Sequence, residues 1–283
     1  MNSVTAPKVE NLLFYYPPTY YDRYEYLRKF NIYQSYVRKM KVIILAAGSG
    51  TRIRPLSYYL PKILLPVKGI PVLEYLIENV QGINPDTIYI VASDNLENIE
   101  RFLEKTGKDN VKVVRGLGWE TGGDLSLALE QINSDDDYIV MNGDIVTDIK
   151  MKETFDFHKT IKSYLTAAVF SMEDEEAKRF GRIQLENDGK IAKFLEKSVS
   201  SPDSRSIVNT GFYVFDKKLI MERKKYLVPR KFKLETELFP QLALEGRMYG
   251  HVSNLDYWWD VGTIESYLKA ENYMINKKGV VPP

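Results

Sequence analysis

A glycine-rich stretch, Gly48-Ser49-Gly50-Thr51-Arg52, directly follows the apolar run Lys41-Val-Ile-Ile-Leu-Ala46. A short run rich in β-branched residues reads as a buried parallel strand. Glycines at its carboxyl end let backbone N–H groups approach phosphate oxygens closely, so phosphate binding is the first chemistry to expect. The same loop also serves as a tight strand-to-helix turn with a solvent-facing arginine. Two familiar phosphate loops are disfavoured. The dinucleotide fingerprint needs a glycine where Ile53 stands, and GxxxxGK[ST] occurs nowhere. A second candidate is Asn142-Gly143-Asp144, at the end of the apolar run 138–141. A carboxylate there faces the same crevice and suits Mg²⁺ held against phosphate oxygens, although Gly-Asp is also an ordinary turn. The chain has no cysteine and two histidines, His158 and His251. That rules out disulfides, thiolate metal sites and a cysteine nucleophile, and argues against structural zinc.

Strand-like runs at 88–92, 111–114, 138–141 and 165–170 alternate with helical spacing at 72–80, 97–105 and 124–132. For the last of these the start signal is Asp124. The alternation predicts an α/β, Rossmann-like fold, a mainly parallel central sheet flanked by helices. Segments 181–185 and 191–195 flank Asn187-Asp188-Gly189, a strong hairpin signal inserted into that pattern. No internal repeat or low-complexity linker interrupts it. With 283 residues the chain can bury the core of one large domain, or of one with a small appendage.

Lys and Arg number 39 against 38 Asp and Glu. The resulting charge of +1 gives no global field to hold nucleic acid or anionic lipid, so neither is expected as a partner. No apolar stretch approaches the roughly 20 residues of a spanning helix, and a cytoplasmic location is expected. Residues 1–39 stand apart: Tyr15, Tyr16, Tyr20, Tyr21, Tyr24, Tyr26, Tyr33 and Tyr36 crowd around Pro17 and Pro18. Either Met40 is the natural start and this is an upstream extension, or it is an aromatic arm that packs on this subunit or a neighbour. The expected division is 1–39 as a Tyr-rich extension, 40–275 as the main domain and 276–283 as a tail.

From Met40 to Val67 the sequence resembles the opening motif of the sugar nucleotidyltransferase (nucleoside-diphosphate-sugar pyrophosphorylase) family, GxGTRLxPLTxxxPKxLLPV. Ile53 and Ser57 stand for the usual Leu and Thr, both mild changes. The resemblance implies that Arg52 and Lys62 grip a triphosphate. It also implies that Ala46, Ala47 and Gly48, with Ser49, Gly50 and Thr51, bind the nucleotide. Physical chemistry agrees, since phosphoryl transfer needs positioning and charge neutralisation more than covalent help. Asn142-Gly143-Asp144 is similar to the family's strand-terminal LGD, and Trp258-Trp259-Asp260-Val261-Gly262-Thr263 to its W-x-D-I/V-G-T. Asp144 and Asp260 would then share one Mg²⁺. Asp260 can otherwise be read as a helix cap before Ile264, a role Thr263 could fill as well.

Glu196-Lys197 resembles the family's EK pair, glutamate on sugar hydroxyls and lysine on the sugar phosphate, and Asn209-Thr210-Gly211 resembles its sugar contact. Gly181 joins Glu196, Lys197 and Asn209 as an implied sugar-binding residue. One stretch departs from the pattern. Where the family has GTAGA, the chain reads Gly122-Gly123-Asp124-Leu125-Ser126. Gly122 is kept as a nucleotide-binding candidate, and Asp124 either reaches ribose or base amino groups or caps a helix.

The activity implied is a nucleoside triphosphate plus a sugar 1-phosphate giving a nucleoside-diphosphate sugar and pyrophosphate. Leu234-Glu235-Thr236-Glu237-Leu238-Phe239-Pro240 is similar to the SLExxxFP segment of mannose-1-phosphate guanylyltransferase-like members. GTP with mannose 1-phosphate is therefore favoured over dTTP or UTP with glucose 1-phosphate. A non-catalytic regulatory subunit is a different class, opposed by the retention of Arg52, Lys62, Asp144, Lys197 and Asp260. A cytidylyltransferase for a non-sugar alcohol phosphate is opposed by Glu196, Lys197 and Asn209. The sequence carries no hexapeptide repeat, so a second, acetyltransferase activity is not expected, and it is compatible with a homo-oligomer.

Overall fold

The structure, a computed structural model, describes residues 40–195 and 205–277. In chain order its strands are β1 (Lys41–Leu45), β2 (Pro66–Val67), β3 (Ile70–Pro71), β4 (Thr87–Ala92), β5 (Val111–Arg115), β6 (Tyr138–Asn142) and β7 (Ile145–Thr147). They continue with β8 (Leu165–Glu173), β9 (Arg182–Leu185), β10 (Ile191–Leu195), β11 (Arg205–Phe215), β12 (Met248–Val252) and β13 (Trp258–Asp260). The longer helices are α1 (Val72–Val80), α2 (Leu96–Thr106), α3 (Glu120–Ile132), α4 (Met151–Ile161) and α5 (Ile264–Asn276).

Among the described residues the main sheet has nine strands, ordered β10-β9-β11-β6-β1-β4-β5, with β8 against β11 and β12 against β8. Its centre, β6-β1-β4-β5, is parallel throughout. The long β11 runs antiparallel to both β6 and β8, and joins the hairpin β9-β10 to the sheet through Val208 opposite Arg182. The predicted inserted hairpin is thus an extension of the central sheet, turned at Gly189 with φ 84°.

Side chains alternate across the strands. From β1, Val42 and Ile44 enter one core with Leu73 and Leu76 of α1, Met151 of α4, and Ala270 and Met274 of α5. Ile43 enters the opposite core with Leu125, Ala128 and Leu129 of α3 and with Phe239 and Leu242. Two apolar layers therefore fix the sheet from both faces, and the carboxyl ends of β1, β4, β5 and β6 are left facing one crevice.

Helix α3 differs from expectation, since it begins at Glu120 and not at Asp124. Its early glycines disfavour a helical start, but the carbonyl of Phe232 accepts from Gly122 N (3.0 Å) and Gly123 N (3.2 Å). Two of the N–H groups that a helix start leaves unpaired are thereby satisfied by tertiary structure. Asp124 sits in the second turn and accepts from Leu117 N–H at 2.8 Å, closing the loop between β5 and α3.

Candidate functional site

A cleft of about 1470 Å³ opens along the carboxyl ends of the parallel strands. Near its middle, the glycine loop after β1 turns through Gly50 at φ 62°, a left-handed conformation that favours glycine. A Cβ at Gly50 would lie 2.9 Å from Ser57 Cβ, and Ser57 Oγ donates to Gly50 O at 2.7 Å. This tight turn brings Lys62 back beneath the loop, where a Cβ on Gly48 would stand 3.9 Å from Lys62 Nζ.

Lys62 Nζ pairs with Asp144 Oδ2 at 2.6 Å, both side chains mostly buried. Asp260 arrives from far along the chain on a short ribbon in which β13 lies antiparallel to β7. The ribbon sets Asp260 opposite Ile145, the neighbour of Asp144, and Val261 N–H donates to Asp144 O at 2.9 Å. Its register follows from Thr147 Oγ1 donating to Tyr257 O and Trp258 Nε1 donating to Thr210 O.

Desolvation raises the Asp260 carboxyl above its ordinary value, and the Asp144 charge raises it further. The Gly262 N–H, Lys62 and Arg52 oppose the shift. Gly262 N–H donates to Asp260 Oδ1 at 2.7 Å, and a Cβ on Gly262 would lie 3.4 Å from an Arg52 guanidinium nitrogen. Asp260 is no helix cap: Thr263 caps α5, in a reciprocal hydrogen-bonded box with Ser266. Two cations and two mutually repelling carboxylates thus meet in one half-buried place. The carboxylates alone are too few to enclose a metal, and no group of three or more ligating side chains occurs among the described residues. A carboxylate pair fits Mg²⁺, which takes one or two carboxylates plus phosphate oxygens.

The cleft wall includes Ala46, Ala47, Gly48, Ser49, Arg52, Lys62, Asp144, Gly181, Asn209 and Asp260. Gly50 and Thr51 shape the loop without reaching the wall. Gly122 stands off it as well, since its Cα packs on the Phe232 ring, 2.3 Å from where a Cβ would be. Asn209 uses part of its amide internally: Nδ2 donates to Tyr213 Oη at 2.6 Å, and Oδ1 accepts from Gly211 N–H at 3.1 Å. Glu196 and Lys197, like the Tyr-rich extension, lie outside the described residues.

Sequence reasoning missed the far end of the cleft, formed by Ser93 and Asp94 after β4, by Arg115 at the end of β5, and by Gly116, Leu117, Gly118 and Glu120 beyond it. The carboxyl-end rule for parallel strands was the signal that could have found them. Segment 230–235 completes this end. Leu234 N–H donates to Thr121 Oγ1 at 3.0 Å, and Thr121 Oγ1 donates to Glu235 Oε2 at 2.7 Å.

The family model "Nucleotidyl transferase" matches residues 41–277. A UTP–glucose-1-phosphate uridylyltransferase of Synechocystis sp. is 27% identical over 84% of this chain and 64% of its own length. A mannose-1-phosphate guanylyltransferase of Mycobacterium tuberculosis is 26% identical over 86% and 66%. The bifunctional protein GlmU of Methanocaldococcus jannaschii is 31% identical over 84% and 55%. This chain therefore spans less than two thirds of those relatives. Among solved structures, HddC from Yersinia pseudotuberculosis is similar with a TM-score of 0.67 at 26% identity, over 83% of this chain and 99% of that one. With most of its length matched and the glycine loop, strand-end carboxylate and ribbon carboxylate gathered in one cleft, the chain belongs to the nucleotidyl transferase family.

Proposed function

We propose that this chain is a sugar-1-phosphate nucleotidyltransferase that joins GTP to mannose 1-phosphate and releases pyrophosphate. The observation that carries the reading is the convergence of Lys62, Asp144, Asp260 and Arg52 at the middle of the cleft. That constellation suits the in-line displacement of pyrophosphate from an α-phosphorus, where developing charge must be met by fixed charges. An oxygen of the sugar phosphate attacks the α-phosphorus, the bond to the bridging oxygen of the β-phosphate breaks, and pyrophosphate leaves past Arg52 and Lys62. No covalent enzyme intermediate is needed.

Asp144 and Asp260 would hold Mg²⁺, which when bound neutralises phosphate oxygens. Lys62 neutralises charge on the leaving group, and its pairing with Asp144 keeps the ammonium aimed before substrate arrives. Ala46, Ala47 and Gly48 give a flat backbone wall to the nucleoside; Ser93 Oγ donates to Ala47 O at 2.8 Å and steadies that wall. Lys197, as the resemblance implies, holds the sugar phosphate, while Glu196, Asn209 and Gly181 meet sugar hydroxyls.

The guanylyl choice draws on Leu234–Pro240 and on relatives named for mannose 1-phosphate in M. tuberculosis and Yarrowia lipolytica. The HddC structure also exists as a complex with GMP-PN. The Synechocystis relative, named for UTP and glucose 1-phosphate, supports the second reading.

The test is product formation with Mg²⁺ across GTP, UTP, dTTP, ATP and CTP against mannose, glucose and N-acetylglucosamine 1-phosphates. GDP-mannose as the main product is expected. A dominant UDP- or dTDP-glucose product would replace the substrate pair, and no nucleotide sugar from any pair would remove the activity.

A further inference from the structure

Along the carboxyl edge of the sheet the order β5, β4, β1, β6 is a ruler. Adjacent strands lie about 4.8 Å apart, so the end of β5 is about 14 Å from the end of β6. With phosphates over Asn142 to Asp144 at the end of β6, a nucleoside lying against Ala47 places its base over the end of β5. The loop after β5 closes on that wall, for a Cβ on Gly116 would meet Ala47 Cβ at 3.0 Å, and one on Gly118 would meet Ala47 O at 3.6 Å. Leu117 sits there 53% exposed on the cleft, an apolar surface offered to a flat ring.

Two charged side chains flank the loop. Arg115 ends β5 and is exposed on the cleft, with no ion-pair or side-chain hydrogen-bond partner among the described residues. Glu120 begins α3 with φ 65°, a left-handed conformation that is costly for any residue with a Cβ and is normally left to glycine. Glu120 is exposed and lines the cleft. Lys233 Nζ stands 3.9 Å away, too far to hydrogen-bond, and both side chains are about half exposed, so the carboxylate keeps its acceptor capacity. Asp124, only 3% exposed, holds the loop in place through Leu117 N–H.

We infer that Glu120 is the residue that selects the base, and that the base is guanine. Guanine is the one common base with two adjacent ring-edge donors, N1–H and the 2-amino group, which a carboxylate accepts together. Its other edge carries the acceptors O6 and N7, which a guanidinium engages as a pair, the part Arg115 plays. Uracil and thymine offer a single N–H between two carbonyls and would set those carbonyls against the carboxylate. Adenine and cytosine offer one amino group beside an acceptor nitrogen. This inference rests on the nucleotidyl-transfer reading for the placement of the base, and it adds the residue and the atoms that discriminate.

The test measures Kd by titration calorimetry for GTP, ITP, 7-deaza-GTP and UTP on the wild-type chain and on Glu120→Gly, Glu120→Gln and Arg115→Met. ITP lacks only the 2-amino group, and 7-deaza-GTP only the N7 acceptor. Glu120→Gly relieves the left-handed backbone, so its fold is preserved, and thermal melting checks this. Wild type is expected to bind GTP about 10- to 100-fold more tightly than ITP or UTP. The GTP-to-ITP ratio should fall towards one in both Glu120 variants, while the loss on 7-deaza substitution disappears in Arg115→Met alone. Equal affinity for GTP and ITP in wild type, a ratio intact in both Glu120 variants, or tighter binding of UTP overturns the inference. Selective GTP binding without pyrophosphate release from any substrate pair would overturn the nucleotidyl-transfer reading and leave the base assignment standing. Pyrophosphate release with no preference for guanine would do the reverse.

Discussion

Lys62 and Asp144 meet at 2.6 Å, and Asp260 faces the same carboxylate with its own protonation favoured by burial and by that neighbour. Removing Lys62 takes away a cation that both carboxylates use, and removing Asp144 takes away the partner that aims Lys62. Under the proposed mechanism Lys62→Ala and Asp144→Ala should each lower turnover on the order of 100-fold or more, the usual cost of losing pre-organised charge. Initial rates of pyrophosphate release, on protein whose melting curve remains cooperative, are the check; near wild-type rates would remove both residues from the chemistry. Asp144 was legible as a candidate because strand-terminal carboxylates occupy predictable places in an open parallel sheet, and Arg52 and Lys62 because residues 40–67 resemble the family's opening motif. Glu120 was not legible. Nothing in a sequence announces that a glutamate will be held at φ 65°, since only the folded surroundings impose that conformation.

Segment 230–235 acts as a clamp on the first turn of α3, through Phe232 O on the N–H groups of Gly122 and Gly123 and through Thr121 on Glu235. The Phe232 ring is 4% exposed and lies where a side chain on Gly122 would go. Gly122→Ala should therefore destabilise the fold by about 1–3 kcal/mol, the range for overpacking, despite alanine's better helix propensity. Urea denaturation reads this, and a variant as stable as wild type would mean that the clamp yields freely. The same clamp explains why the helix begins ahead of Asp124, the start signal read from the sequence: a Gly-Gly pair argues against helix, and the partner of its N–H groups, Phe232 O, lies more than a hundred positions away. Strands β1, β4, β5 and β6 were legible because each is a short, mainly apolar run that contains β-branched residues. The ribbon of β7 and β13 was not, for three-residue strands carry no period, although it is the element that delivers Asp260. Among the described residues no helix is long and apolar enough to cross a membrane.

Across the whole molecule, stability in acid depends in part on Asp216, which caps the turn Lys217–Met221 by accepting from Lys218 N–H at 2.8 Å and lies 3.7 Å from buried His158 Nε2. Burial alone would raise this carboxyl, but the His158 contact, the Lys218 N–H and nearby positive charge outweigh it and lower the carboxyl from 3.8 to about 2. A depressed carboxyl stabilises the fold above its unfolded value and loses that contribution as pH falls through the folded one. Wild type should thus lose more stability between about pH 4 and pH 2 than Asp216→Asn, which keeps a good cap but cannot titrate. Parallel denaturation curves for the two over that window would contradict this. At the same scale, the two cores either side of the sheet leave a cleft of about 1470 Å³ along the carboxyl ends of the parallel strands, which under the proposed function seats base, triphosphate and sugar. Transfer between bound substrates is the claim that cleft supports. It is tested most directly by incubating the full chain with Mg²⁺ and GTP, with and without mannose 1-phosphate, and following pyrophosphate and nucleotide sugar together. The account predicts pyrophosphate only when both substrates are present, one for each GDP-mannose formed; pyrophosphate or orthophosphate released from GTP alone, or neither product from folded protein, would contradict it.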